Sequence, residues 1–239
     1  MGKGIGFSRT ITLDWLDATV SLCLENKTPA EVRLGLDKLL EGVIRGKEPR
    51  RKTIDVLTGV WVKAKPVLRQ EGLELYQRLF TRQDRLWLHY GMILSRYPFF
   101  RLCASVIGQV SRTKETINRQ IIKDKVAAEM GHLGDLDRSI DRLIVSLVEW
   151  EILILEKEKK TYRICLHTIP ASIIALEMWL AKCALQSHPS DALPFADLIY
   201  LPELFPFNFS VSIDHLRKDA RFEVQRQGGG LDMVRLVVP

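Results

Sequence analysis

The chain has 239 residues, 46% hydrophobic and 27% charged, with a formal charge of +6. That length suits one large domain or two small ones, and the balance excludes wholesale disorder and collagen-like or fibrous structure. The basic excess permits a polyanionic partner without requiring one. It is uneven: 18 Lys+Arg face 11 Asp+Glu over residues 1–111, 11 face 10 over 112–163, and 6 face 8 over 164–239.

The first residues, MGKGIGFSRTITLDWLD, lack the apolar run of a signal peptide. They open Met-Gly, but Phe7 stands where a myristoylation signal carries Ser or Thr. Thr12 caps a predicted helix through Leu13, Leu16, Val20 and Leu24. Lys27-Thr28-Pro29 breaks the chain and starts a second, with Val32, Leu36, Leu39, Leu40 and Val43 at helical spacing up to Gly46. Arg45-Gly-Lys47-Glu-Pro-Arg50-Arg51-Lys52 holds five positive charges against one negative and reads as a basic interhelical loop, either solvated or able to bind phosphate. A third helix is expected over Arg51–Val62 and a fourth from Pro66. Two more follow over Asp84–Arg96 and Phe99–Val110, split at Tyr97-Pro98. No strand alternation is seen before residue 150, and no internal repeat.

Glu115–Met130 reads as a helix ended by Gly131. Asp135-Leu-Asp137 reads as the cap of another, which buries Leu136, Ile140, Leu143, Ile144, Leu147 and Val148. The pattern then changes to strand alternation, giving two strands at about 152–166 around the charged turn Glu156–Lys160. Pro170 begins an apolar helix through Leu185. Glu177 and Lys182 interrupt this stretch, the most apolar one, so no membrane span is expected. Leu201–Phe209, rich in aromatic residues and proline, is expected to dock on the surface. A helix over Ser212–Lys218 and a hairpin turning at Gly228-Gly-Gly230 close the chain.

The residues show no catalytic constellation. His89, His132, His167, His188 and His215 are isolated, and neither metal-site spacing nor a Walker loop or nucleophile elbow is present, so neither metal nor cofactor is expected. Cys23, Cys103, Cys165 and Cys183 lie far apart among apolar residues, as buried thiols do, which favours a reducing cytoplasm. Trp15, Trp61, Trp87, Trp150 and Trp179 sit at helical spacing from other apolar residues and are expected in the core.

The run Val126-Ala-Ala-Glu-Met-Gly131, then Ser139-Ile-Asp-Arg-Leu143, then Leu147-Val-Glu-Trp-Glu-Ile-Leu153 resembles the winged helix-turn-helix DNA-binding superfamily. The resemblance covers about a quarter of the chain. It departs from the family at Trp150-Glu151, where a Gly turn is usual, and in the acidic Asp135, Asp137, Asp141 and Glu149 around the recognition helix. The whole layout also resembles the small helical A component of BREX phage-defence systems, which implies a non-catalytic bacterial accessory protein binding DNA or defence partners.

Together these readings give a mainly α protein: a helical array over 1–111, a winged-helix unit over 112–169, and a helix, Pro/aromatic segment and β-hairpin over 170–239. Candidate contacts to double-stranded DNA are Arg138 and Arg142, one turn apart on the recognition helix, wing residues Lys157, Lys159 and Lys160, and Arg45, Lys47, Arg50, Arg51 and Lys52. The alternative is a protein assembly subunit that docks through the winged unit and Phe205–Phe209.

Overall fold

In the computed structural model, which describes residues 4–131, 134–156, 158, 160–228 and 230–237, the chain is mainly helical, with small sheets. The first half is six helices: α1 (Leu13–Leu24), α2 (Pro29–Glu41), α3 (Lys47–Trp61), α4 (Pro66–Tyr76), α5 (Arg82–Arg96) and α6 (Pro98–Ser111). Thr12 caps α1 by accepting the Trp15 amide. A full capping box starts α2: Thr28 accepts the Glu31 amide while the Glu31 carboxylate accepts that of Thr28. Pro29, Pro66 and Pro98 occupy first-turn positions, where a missing N–H leaves no helical bond unmade.

One boundary differs in a way that bears on function. The third helix begins at Lys47, so most of the basic run at 45–52 is the opening turns of α3 and not a loop. Gly46 makes the bend with φ +89°, a left-handed conformation that favours glycine.

After α6 come β1 (Thr116–Ile117), α7 (Arg119–Met130), α8 (Leu136–Glu149), β2 (Leu153–Glu156) and β3 (Thr161–Ile164). The strands form an antiparallel sheet in the order β1–β3–β2, with Thr116 opposite Arg163 and Leu155 opposite Tyr162. Strand β1 corrects the expectation of a helix from Glu115 and of no strand before residue 150. It exists because β3 pairs with it, and Asn118, accepting the Ile121 amide, starts α7 only afterwards.

The remainder is β4 (Ile169–Pro170), α9 (Ile174–Ser187), β5 (Ala192–Pro194), α10 (Phe195–Ile199), a 3-10 turn at Pro202–Leu204, β6 (Phe207–Asn208), α11 (Ile213–Arg217), β7 (Phe222–Gln227) and β8 (Leu231–Leu236). β4 and β6 pair in parallel, and the last sheet has the order β5–β8–β7. The succession α9–β5–α10–α11–β7–β8 therefore repeats α6–β1–α7–α8–β2–β3 in element order and in strand order, with β4 before it and the 3-10 turn and β6 inserted. The residues show only the end of this repeat, as helix, strand, turn and strand from Ser212 onward; the backbone shows the rest.

The buried apolar side chains form one continuous core. Trp61, Trp87, Trp150 and Trp179 are buried in it, whereas Trp15 is only partly covered. Phe205 and Phe207 are also buried, contrary to the expected surface docking of Phe205–Phe209. Phe207 stacks on Trp87 and Tyr90, with centroids 4.5 and 4.8 Å apart, and Phe209 lies 5.1 Å from Trp87. These rings gain more by packing on α5 than by facing water.

A buried polar relay joins α1, α3 and α5. His89 is fully buried; its Nδ1 accepts the Trp61 indole N–H at 3.1 Å, which leaves Nε2 to donate to Asp17 at 2.8 Å. Arg85 donates to the other Asp17 oxygen at 2.9 Å. With Nδ1 occupied by a donor-only indole, His89 is not placed to act as a base. Burial pushes its pKa below the ordinary 6.5 against the opposing pull of Asp17. The Asp17 carboxyl is held below its ordinary range: burial would raise it, but the hydrogen bond and charge of His89 and the charge of Arg85 outweigh that. The neighbouring Tyr76 is pushed up to about 12, by burial and by Asp17. For His89 and Asp17 alike the folded pKa lies below the unfolded one. Their stabilisation is therefore present above the unfolded values and is lost as pH falls. We expect the thermal midpoint to drop between about pH 7.5 and pH 5 as unfolded histidine takes up protons. His89→Gln should flatten that slope; an unchanged slope would assign it to other groups.

Candidate nucleic-acid interface

The segment just before α1 docks on α8. Residues 7–12, with a bend at Arg9, run along α8 up to the start of α1. Phe7 is buried between Tyr97, Phe100 and Trp150, at centroid distances of 5.6, 5.4 and 6.5 Å. Arg142 donates to the Ser8 carbonyl at 2.9 Å, the Ile11 amide to Ser146 Oγ at 2.8 Å, and the Leu13 amide to Glu149 at 3.0 Å. The Trp150 indole N–H donates back to the Ile11 carbonyl at 3.0 Å. One edge of α8 is thus covered by the chain itself.

Arg9 sits in this segment, within reach of charges at the starts of α3 and α8. Burial and the charge of Arg142 lower its pKa, while Glu48, in the first turn of α3, and Asp135, at the start of α8, act the other way. Its Nε is buried without a hydrogen-bond partner among the described residues. Neither helix start is closed by a side chain: Gly46 has none, and Asp135, expected as a cap, accepts no amide of α8. The first N–H groups of both helices, and their positive dipole ends, are left for other acceptors.

The candidate residues divide sharply around this point. Arg45 and Lys47 flank the bend at Gly46, are exposed, and make no ion pair among the described residues. Arg138, in the first turn of α8, is likewise exposed and without an ion pair. Arg142 is half-buried and bound to Ser8, so it does not stand beside Arg138 as a second open cation. Arg50 is held by Asp37 at 2.6 Å and Glu41 at 3.4 Å, Arg51 by Glu48 and Asp55 at 2.8 and 3.0 Å, and Lys52 by Glu48 at 3.6 Å. Once 45–52 is helical, these pairs follow from i, i+3 and i, i+4 spacing and from the packing of α2 on α3. Lys160 is exposed at the end of the β2–β3 turn with φ +52°; Lys157 and Lys159 lie outside the described residues. On α8 itself Asp141 is neutralised by Lys123 at 3.0 Å, and Glu149 by Arg82.

Arg9 was not among the residues picked from the sequence. The two-residue spacing of Ile5 and Phe7 and the apolar Ile11 were the only local signal of an extended, docked segment around it. Among the described residues no helix is long and apolar enough to cross a membrane, and no group of three or more His, Cys, Asp or Glu could hold a metal ion. Cys23, Cys103 and Cys183 are buried and Cys165 is partly covered, all as free thiols. Comparison of the chain with family models, with curated proteins and with solved structures finds no match.

Proposed function

We propose that this chain is a non-catalytic DNA-binding accessory protein whose α6–β3 region is a winged helix-turn-helix, with α8 as recognition helix and the β2–β3 hairpin as wing. The order helix, strand, helix, helix, strand, strand, with the first strand paired to the last, supports that reading. So does the sequence resemblance. The observation that carries the function is that α3 and α8 both begin without a side-chain cap and that the cations at those starts, Arg45, Lys47 and Arg138, are exposed and make no ion pair among the described residues. Backbone amides at a helix start and adjacent cations are what a phosphate requires. The N-terminal turn of a recognition helix is the part that meets base edges. The layout's resemblance to a BREX component supports reading such a protein as one part of a multi-component phage-defence system in the cytoplasm.

A salt titration on duplex DNA tests this. Affinity should fall steeply with salt, and Arg45→Gln with Lys47→Gln should weaken all sequences alike and reduce the slope by about 2. Arg138→Ala should cost about 1–3 kcal/mol on a preferred site and relax its base preference. Neutralising Arg51 and Lys52 should change little, because intramolecular carboxylates already hold them. Absence of duplex binding at low salt would remove the proposal. It would favour assembly through the winged unit, whose Val145, Ile154 and Leu155 are exposed.

A further inference from the structure

A second basic feature lies at the other end of α3, about 22 Å along its axis from Lys47. There an open cleft of about 590 Å³ is bounded by the α3–α4 connection, the end of α5, the start of α6 and the end of α9. Lys63, Lys65, Arg96 and Arg101 all line it, and no carboxylate residue does. Lys63, Lys65 and Arg96 make no ion pair among the described residues, and Arg101 reaches only Glu203, at 3.6 Å. His188 adds a donor: its Nδ1 accepts the Ser190 amide at 3.0 Å, so the neutral ring carries its proton on Nε2. Tyr97, the residue before α6, makes no side-chain cap, and Arg96 lies just ahead of that helix start. Between the cations the wall is apolar, formed by Ala64, Leu68, Pro98 and Pro189.

Four cations around one cleft, of which only Arg101 has a carboxylate partner, is a costly arrangement, since Lys63, Lys65 and Arg96 repel one another and no ion pair among the described residues neutralises them. A lone surface lysine signals nothing of the kind. The volume is that of a small-molecule site, and a mixed apolar and cationic lining fits a ligand with a flat apolar body and a multiply charged head. We propose that this cleft binds a nucleoside polyphosphate, with the phosphates on Lys63, Lys65, Arg96 and Arg101 and the base against Leu68 and the two prolines. This would give the protein a nucleotide-responsive site separate from the surface around Arg9.

The test is calorimetric titration of the full chain with ATP, GTP, CTP and UTP, and separately with adenosine and with inorganic pyrophosphate. At least one nucleoside triphosphate should bind more tightly than about 1 mM, by about tenfold or more over both pyrophosphate and adenosine. Lys63→Gln with Arg96→Gln, both exposed positions, should weaken it by about tenfold or more while leaving the circular dichroism spectrum and duplex DNA binding unchanged. Pyrophosphate binding as tightly as the best triphosphate would reduce the cleft to a charge patch and overturn the proposal. So would unaltered nucleotide affinity in the double variant, no nucleotide binding at all, or a parallel loss of DNA binding that makes the cleft part of a nucleic-acid track.

Discussion

Gly108→Ala should be among the most damaging single-atom additions to this protein. A Cβ there would lie 1.8 Å from the Pro202 carbonyl oxygen and 2.6 Å from its carbon. The obstacle is backbone, not the end of a side chain that could swing away. Helix α6 approaches the 3-10 turn this closely because Gly108 has no side chain, and the same turn presents the Glu203 carbonyl to the buried Tyr90 hydroxyl at 2.6 Å. Burial and the Glu203 charge raise the Tyr90 pKa well above its ordinary value, so the hydroxyl stays a donor. Overpacking against an unyielding neighbour falls at or beyond the upper end of the usual range, about 3 kcal/mol. For a chain of this size that is roughly 6–12 °C in thermal midpoint. A shift below about 2 °C would mean that α6 and the turn are not in contact as described.

Glu177 supplies the second large effect. It is buried in α9, and its carboxylate accepts three hydrogen bonds from one short segment: the Ser210 and Val211 amides at 2.6 Å each and the Ser210 hydroxyl at 2.7 Å. Glu177→Ala removes three charge-assisted bonds and leaves two amides without an acceptor, for about 3–5 kcal/mol. Glu177→Gln can keep its amide oxygen on both backbone N–H groups and donate its NH₂ to the Ser210 hydroxyl, which then accepts, and should lose less than half as much. Thermal or urea unfolding of the pair would show the order Ala worse than Gln. Equal and small effects would mean that the segment is held by its apolar neighbours.

What the sequence reveals of this fold is what local chemistry decides. Thr12, Thr28-Pro29, Pro66 and Tyr97-Pro98 mark helix starts because a cap or a missing N–H acts within one turn. The alternation after Ile152 likewise marks β2 and β3. What distant partners decide is not legible in the same way. Two residues become β1 only because β3 lies alongside, and Phe207 turns inward only because Trp87 and Tyr90 pack against it. The start of α3 has no side-chain cap to announce it, so a helix with Pro49 in its first turn reads as loop. The site follows the same division. Arg45, Lys47 and Arg138 are visible as charges, but that Arg50, Arg51, Lys52 and Arg142 are already engaged inside the molecule depends on which carboxylates and carbonyls the fold brings up. Arg9 gains its meaning from two helices that begin 38 and 127 residues after it.

The hold of α8 on residues 7–13 has a consequence for how this protein is made. Its bonds span 132 to 139 positions of the chain, from Thr10 with Arg142 to Ile11 with Trp150. During synthesis the segment therefore waits, its Phe7 side chain without a pocket, until Trp150 has cleared the ribosome. At about 5–20 residues per second that is a delay of roughly 7–30 s. Helices α1 to α5 can form meanwhile, but the seam that joins them to α8 closes late, and in that interval Phe7 and Ile11 are exposed to chaperones and to neighbouring nascent chains.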